Sequence, residues 1–235
     1  MKKVLVFLLA LIAISCGKEQ RDLVVKTNVK GLKKGTVYLK KAKDTVLVTV
    51  DSIVVNGTPQ FELYSDLDSP EVFFLYLDKN SKIEDRITFF ADKGVTEINT
   101  TVKNFAFDAK IKGSEQQKVL EEYLAVLSKL NNKNLDLIKE NFEAQKAGDT
   151  AKINQIEKQY KASIRRKYLY TVNFAVNHSN SEVAPYLALT EAYNANINLL
   201  DTINNALTPK VKTSKYGKAL DKFIKDIKEE SKTED

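Results

Sequence analysis

The chain has 235 residues, 37 basic and 31 acidic side chains, a formal net charge of +6, one cysteine and one histidine. Its length suits one large domain or two modest ones, and a lone cysteine excludes an internal disulfide and a dithiol redox site. The basic excess is spread along the chain rather than gathered on one tail, which excludes the concentrated charge of a nucleic-acid binder.

Met1-Lys2-Lys3 gives a positive start, Val4 to Ile14 is an unbroken apolar run, and Ala13-Ile14-Ser15-Cys16 supplies small residues before the thiol. That order is the pattern of a secretory signal, and the run falls short of the ~20 apolar residues that span a bilayer. The expected organisation is a signal peptide at 1–15, a lipidated tether at 16–22 and acyl attachment at Cys16, whose sulfur becomes a thioether. Cleavage there leaves 220 residues and, without Lys2 and Lys3, a formal charge of +4. The expected location is outside the cytoplasm, anchored to the membrane. Gly17 after the cysteine, with no aspartate beside it, resembles outer-membrane sorting toward the periplasm, with surface exposure as the variant.

From Leu23 to Lys112 the apolar residues alternate as in strands. The runs are 23–29, 35–39, 46–50, 52–55, 60–64, 72–77, 86–90, 95–98 and 105–107. Asn56-Gly57 between β-branched runs reads as a hairpin turn, since both turn positions need positive φ. The stretch after Pro70, Val72 to Leu77, is apolar on both faces and predicts a covered central strand. About eight short strands with turn residues between them predict an antiparallel β-sandwich or barrel over residues 23–112.

After Gly113 the period becomes helical, and residues 113–235 are expected to form a helical region, making the fold class α+β. Val119, Leu120, Tyr123, Leu124, Leu127 and Leu130 fall at spacings of three and four, as do Leu135, Ile138 and Phe142. Ser114 is a candidate N-cap, and Gly148-Asp149 reads as a C-terminal stop followed by a new N-cap. Ile153, Ile156, Tyr160 and Ile164 restart the stripe, continuing through Tyr168, Val172 and Ala175. Two long helices joined so briefly predict an antiparallel hairpin. Asn131-Asn132-Lys133-Asn134 are weak helix formers, expected to interrupt the first of them. Shorter helices are expected from Ser181, around Leu199, and from Ser214 to Lys228.

Three places carry titratable or basic groups. His178 lies in a helix-end sequence and reads as a solvated or capping residue, because a zinc site needs about three protein ligands that the chain lacks. Asp66, Asp68 and Glu71 form an oxygen-rich turn; the readings are a divalent-ion site and a plain polar turn, with the turn favoured. Arg165-Arg166-Lys167 beside Tyr168 and Tyr170 reads as a solvated helix face, with phosphate or glycan binding as the alternative. No phosphate loop, dinucleotide fingerprint or nucleophile elbow occurs. Neither a catalytic site nor a cofactor or metal is expected.

The segment Gly31-Leu32-Lys33-Lys34-Gly35-Thr36-Val37-Tyr38-Leu39, then Asp51-Ser52, Asn56-Gly57 before Phe61-Glu62-Leu63, Pro70, Phe89-Phe90-Ala91 before Gly94, and Gly113-Ser114 resembles lipoproteins with the domain of unknown function 4369. In that family the domain often precedes a thioredoxin-like oxidoreductase domain. The present sequence ends at Asp235, where such a domain would begin, and has no Cys-x-x-Cys, so redox activity does not carry over. The resemblance implies the non-catalytic front half. The expected function is a membrane-anchored cell-envelope lipoprotein acting as a non-enzymatic binding or scaffolding module. Its expected partners are the membrane, through the lipid anchor, and a protein or glycan in the envelope, with no nucleic acid. The alternative is a redox accessory protein that docks a separate thioredoxin-like enzyme, and a hydrolase with an unrecognised site is the third class.

Overall fold

A computed structural model describes residues 21–44, 46–78 and 85–233. Cys16, the signal peptide and most of the tether lie outside the described residues. Among the described residues eight strands precede the helices: β1 (Leu23–Lys30), β2 (Lys34–Lys43), β3 (Val46–Asn56), β4 (Gln60–Ser65), β5 (Glu71–Tyr76), β6 (Ile87–Ala91), β7 (Gly94–Thr101) and β8 (Lys110–Lys112). Six helices follow: α1 (Glu115–Ala147), α2 (Thr150–Asn177), α3 (Val183–Glu191), α4 (Ile197–Ala206), α5 (Pro209–Lys212) and α6 (Lys215–Thr233). The fold is α+β.

The strands form two four-stranded sheets, ordered β4-β1-β7-β8 and β3-β2-β5-β6. Alternation puts Leu23, Val25 and Val29 of β1 and Val37 and Leu39 of β2 into one core with Leu63, Phe73, Phe89 and Ile98. Each such side chain contributes roughly 1.5–3 kcal/mol through its burial. Phe73 and Phe89 are cross-strand partners whose rings stack with centroids 6.0 Å apart. The architecture is a sandwich. β5 is central and buried on both faces, as the apolar run after Pro70 predicts.

Four expectations for the sandwich need correction. The sandwich is not wholly antiparallel: β1 pairs in parallel with β7, Leu23 opposite Gly94 through Lys30 opposite Thr101. The two runs 46–50 and 52–55 are one strand, with an irregularity in its pairing to β2 between Leu39 and Lys40. Asn56-Gly57 does not close a hairpin; β3 and β4 lie in different sheets. Gly57 N–H donates to the Lys33 carbonyl just before β2, while the Pro59 carbonyl accepts from Val29 N–H of β1. The turn thus passes the chain from one sheet to the other, and Pro59, lacking an N–H, cannot extend a ladder. Finally, Phe105-Ala106-Phe107 lies in a series of turns rather than a strand.

The expected interruption at Asn131–Asn134 is also corrected: helix α1 runs unbroken through them, about 50 Å at 1.5 Å per residue. Its start is capped twice. The Ser114 hydroxyl accepts from Gln117 N–H and donates to Asp92, whose same carboxylate oxygen accepts from Gln116 N–H. Gly148, at φ 67°, ends the helix and the Asp149 carboxylate caps α2 by accepting from Lys152 N–H. Both expected caps are present. Among the described residues no helix is long and apolar enough to cross a membrane.

The helices cover the outer face of the β5–β6 region. Val72 and Phe90 pack with Leu120, Tyr123, Leu127, Val183 and Leu187. The Gln117 side-chain carbonyl accepts from Phe90 N–H at 2.8 Å, and the Tyr216 hydroxyl accepts from Val72 N–H at 3.0 Å. Glu71, 5% exposed, is paired with Lys41 of β2 at 2.8 Å and with Lys215 of α6. Backbone groups that the strands leave unused are therefore satisfied by the helices, and the junction is fixed.

Candidate partner-binding surface

The helical hairpin carries the candidate site. Tyr123 stacks on Tyr170 and its hydroxyl meets Thr171 at 2.8 Å, while further out Leu137 packs with Ile156. As the α1 number rises the α2 number falls, so the hairpin is antiparallel. Near the sandwich its seam is thick, with Phe174 edge-on to Tyr123 at 5.3 Å. Toward the far end the buried apolar residues reduce to Leu137, Ala144 and Ile156, with Ile153 against them. That cluster is small for two helices of this length.

Beside the thin seam runs an open apolar flank. Leu135 is 63% exposed, Ile138 53% and Phe142 57%. One cavity of about 160 Å³ lies between Leu137, Ile138, Ile156 and Tyr160. A second, of about 430 Å³, lies between Leu135, Tyr160, Ile164, Tyr168 and Tyr193. They share Tyr160 and make one groove from Asn141 and Ile156 to Tyr193 in the α3–α4 connection. Asn141 lines the first cavity and Asn134 the second, and each has a buried side-chain oxygen without a hydrogen-bond partner. Unfilled acceptors cost free energy when dry. The smaller cavity is mainly apolar, whereas the larger mixes Leu135, Ile164 and its tyrosines with Asn131, Lys167, Glu191 and Asn194, a composition that suits an amphipathic segment.

The singled-out residues are otherwise engaged. His178 caps α2: its Nδ1 lies 2.9 Å from the Phe174 carbonyl, its ring stacks on Phe174 at 4.0 Å, and its Nε2 is 3.7 Å from Glu122. Asp66, Asp68 and Glu71 do not converge, because Arg21 binds Asp66 at 2.7 Å while Glu71 turns inward to its two lysines. Among the described residues no group of three or more His, Cys, Asp or Glu is placed to hold a metal ion. Arg165 and Arg166 lie outside the seam, whereas Lys167 is paired with Glu191 at 2.8 Å on the groove wall. A larger cavity, about 580 Å³, lies beside Arg21, Lys41, Asp51, Tyr64 and Asp66, but its ions hold one another or backbone N–H groups.

Sequence reasoning missed two features. Leu135, Ile138 and Phe142 read as seam residues, yet the seam uses Leu127, Leu137 and Ala144 and leaves them outside. The signal was present: an apolar stripe too wide for one neighbouring helix. The other is Glu182, 1% exposed just before α3, with one carboxylate oxygen unpartnered. Burial pushes its carboxyl above the ordinary glutamate range, partly offset by its own backbone N–H and by Lys210. Nothing in the local sequence distinguishes it from a surface glutamate.

Residues 23–120 match the model of a family described as a domain of unknown function, DUF4369. The match spans the whole sandwich and continues into α1 as far as Leu120, the stretch that includes the double cap and the Gln117 bond to β6. No curated protein matches the chain, and no solved structure does.

Proposed function

We propose that this chain, whose sandwich belongs to the DUF4369 family, is a membrane-anchored cell-envelope lipoprotein that acts as a non-enzymatic binding module. The observation that carries the reading is the open groove on the hairpin flank, where Leu135, Leu137, Ile138, Ile156 and Ile164 lie beside asparagines and the Lys167–Glu191 pair. Its shape and chemistry fit a protein segment better than a reaction, since no nucleophile with an adjacent base lines it. The anchor reading rests on the order of charged, apolar and small residues before Cys16.

The two parts are tested separately. Radiolabelled palmitate should enter the wild type and not Cys16→Ala; equal labelling refutes the anchor. A photo-cross-linker at Ile138 or Tyr160 in living host cells should give a discrete adduct that Leu135→Asp abolishes. Adducts that persist in Leu135→Asp, or arise equally from exposed Lys158, refute the groove. A thioredoxin-like oxidoreductase in the adduct would select the accessory reading over general scaffolding.

A further inference from the structure

At the end of the sandwich where β1 finishes, three connections meet. The β1–β2 loop, the β3–β4 turn and the long β7–β8 loop are joined by hydrogen bonds from Val102 N–H to the Lys30 carbonyl and from Gly57 N–H to the Lys33 carbonyl. Lys33 stands on the first and Lys103 on the last, with Lys30, Lys34 and Lys110 on the strand ends that flank them; all five are exposed. None has an ion-pair partner among the described residues. The single acid in these three connections, Asp108, is held by Thr101 at 2.7 Å and by Asn104.

Among these lysines Phe107 is 91% exposed, and Val102 is 39% exposed. The loop that carries them is not loose. Phe105 is buried in the sandwich core, its carbonyl accepting from the Thr100 hydroxyl at 2.6 Å, and Asp108 N–H closes a turn on the Asn104 carbonyl at 2.9 Å. An ordered loop thus buries one phenylalanine and holds another in water two residues later. A fully projecting phenyl ring has no wall beside it to enclose a sugar or a peptide. It suits an apolar medium reached through an anionic layer, which the surrounding lysines complement.

We propose that this tip is a membrane contact: Phe107 and Val102 enter the acyl boundary of an anionic lipid surface while the five lysines meet its phosphates. The contact needs no anchor at Cys16 and is compatible with one. Cys16 to Asp22 reaches at most about 25 Å when extended, and β1 spans about 26 Å. A chain attached at Cys16 can therefore lie along the bilayer with the tip in the same surface.

The chain contains no tryptophan, so Phe107→Trp places a unique reporter in the full-length protein. On phosphatidylcholine vesicles containing phosphatidylglycerol, its emission should shift to the blue and be quenched by brominated acyl chains. High salt should weaken both effects, because the attraction is screened. Adding the triple change Lys33→Glu, Lys34→Glu, Lys103→Glu should reduce quenching by more than about tenfold. Tyr193→Trp, on the helical half, should stay unquenched on the same vesicles, which separates the tip from anything the N-terminus contributes. Absence of quenching in Phe107→Trp, equal quenching at both reporters, or equal quenching on pure phosphatidylcholine would overturn the proposal. So would a shift produced by a soluble acidic polysaccharide and not by vesicles. Circular dichroism of each variant confirms that the comparison is between folded proteins.

Discussion

The hairpin seam makes an asymmetric prediction at Tyr123 and Thr171. The Thr171 hydroxyl donates to the Lys167 carbonyl at 2.9 Å, so the hydroxyl of Tyr123, 2.8 Å away, must be the donor to Thr171. Tyr123 is fully buried, and burial drives its hydroxyl pKa well above the ordinary range. Tyr123→Phe removes a donor and leaves Thr171 with its carbonyl partner, costing about 1 kcal/mol. Thr171→Val strands the tyrosine hydroxyl at a fully buried position, costing roughly 1–3 kcal/mol beyond the lost bond. The double variant strands nothing and should resemble Tyr123→Phe alone. Urea melts of the four proteins should thus show the two single costs exceeding the double by roughly 2–4 kcal/mol. For a chain of this size, each 1 kcal/mol lowers the Tm by about 2–4 °C. A Thr171→Val variant no less stable than Tyr123→Phe, or strict additivity, would refute the assignment of donor and acceptor.

Gly113 sits at φ 97°, and a Cβ there would lie 2.1 Å from the Val95 carbonyl oxygen. Gly113→Ala should cost about 3 kcal/mol or more from backbone strain and forced movement of β7, read as a Tm loss far larger than that of Gly148→Ala, where the space is open. Glu182 has a folded-state pKa raised by burial, so its charge costs stability once the pH exceeds the unfolded value, and costs nothing where both states are protonated. Glu182→Gln should therefore raise stability by about 1 kcal/mol at pH 7. That gain should vanish as the pH falls below the ordinary glutamate value of 4.5; a gain that persists in acid would mean that the charge is not its source.

The strands and caps were legible because they are local. Alternation placed Leu23, Val25 and Val29 inward, and Ser114, Gly148 and Asp149 marked helix ends through groups that act within a few residues. What was not legible depends on partners distant in sequence. The Asn56-Gly57 turn has hairpin chemistry, but its outcome was decided by Lys33, just before β2, and Val29 of β1, which bind the residues around it. The asparagines at 131–134 cost a few tenths of a kcal/mol each as helix residues. The contact of α1 with α2 on both sides of them, at Leu127 and Leu137, outweighs that. The groove was half visible: its residues were picked out as apolar, but which apolar stripe meets α2 depends on where the seam starts, and Tyr123 sets that from the sandwich side.

The parallel pairing of β1 has a consequence for how the molecule assembles. β1 is the first strand synthesised, yet its neighbours begin at Gln60 in β4 and Gly94 in β7. The other sheet can start from the short β2–β3 connection and gain β5 and β6 through antiparallel neighbours. Long loops are costly to close before their contacts reward them. The sheet containing β1 should therefore close last, on a surface already presented by Val37, Leu39 and Phe73. Until β7 arrives, Leu23, Val25 and Val29 lie on an apolar strand that lacks its parallel neighbour, which is the segment most open to wrong pairing with another chain. On the proposed export route, with the N-terminus crossing first, that interval is when a chaperone would have the most to protect.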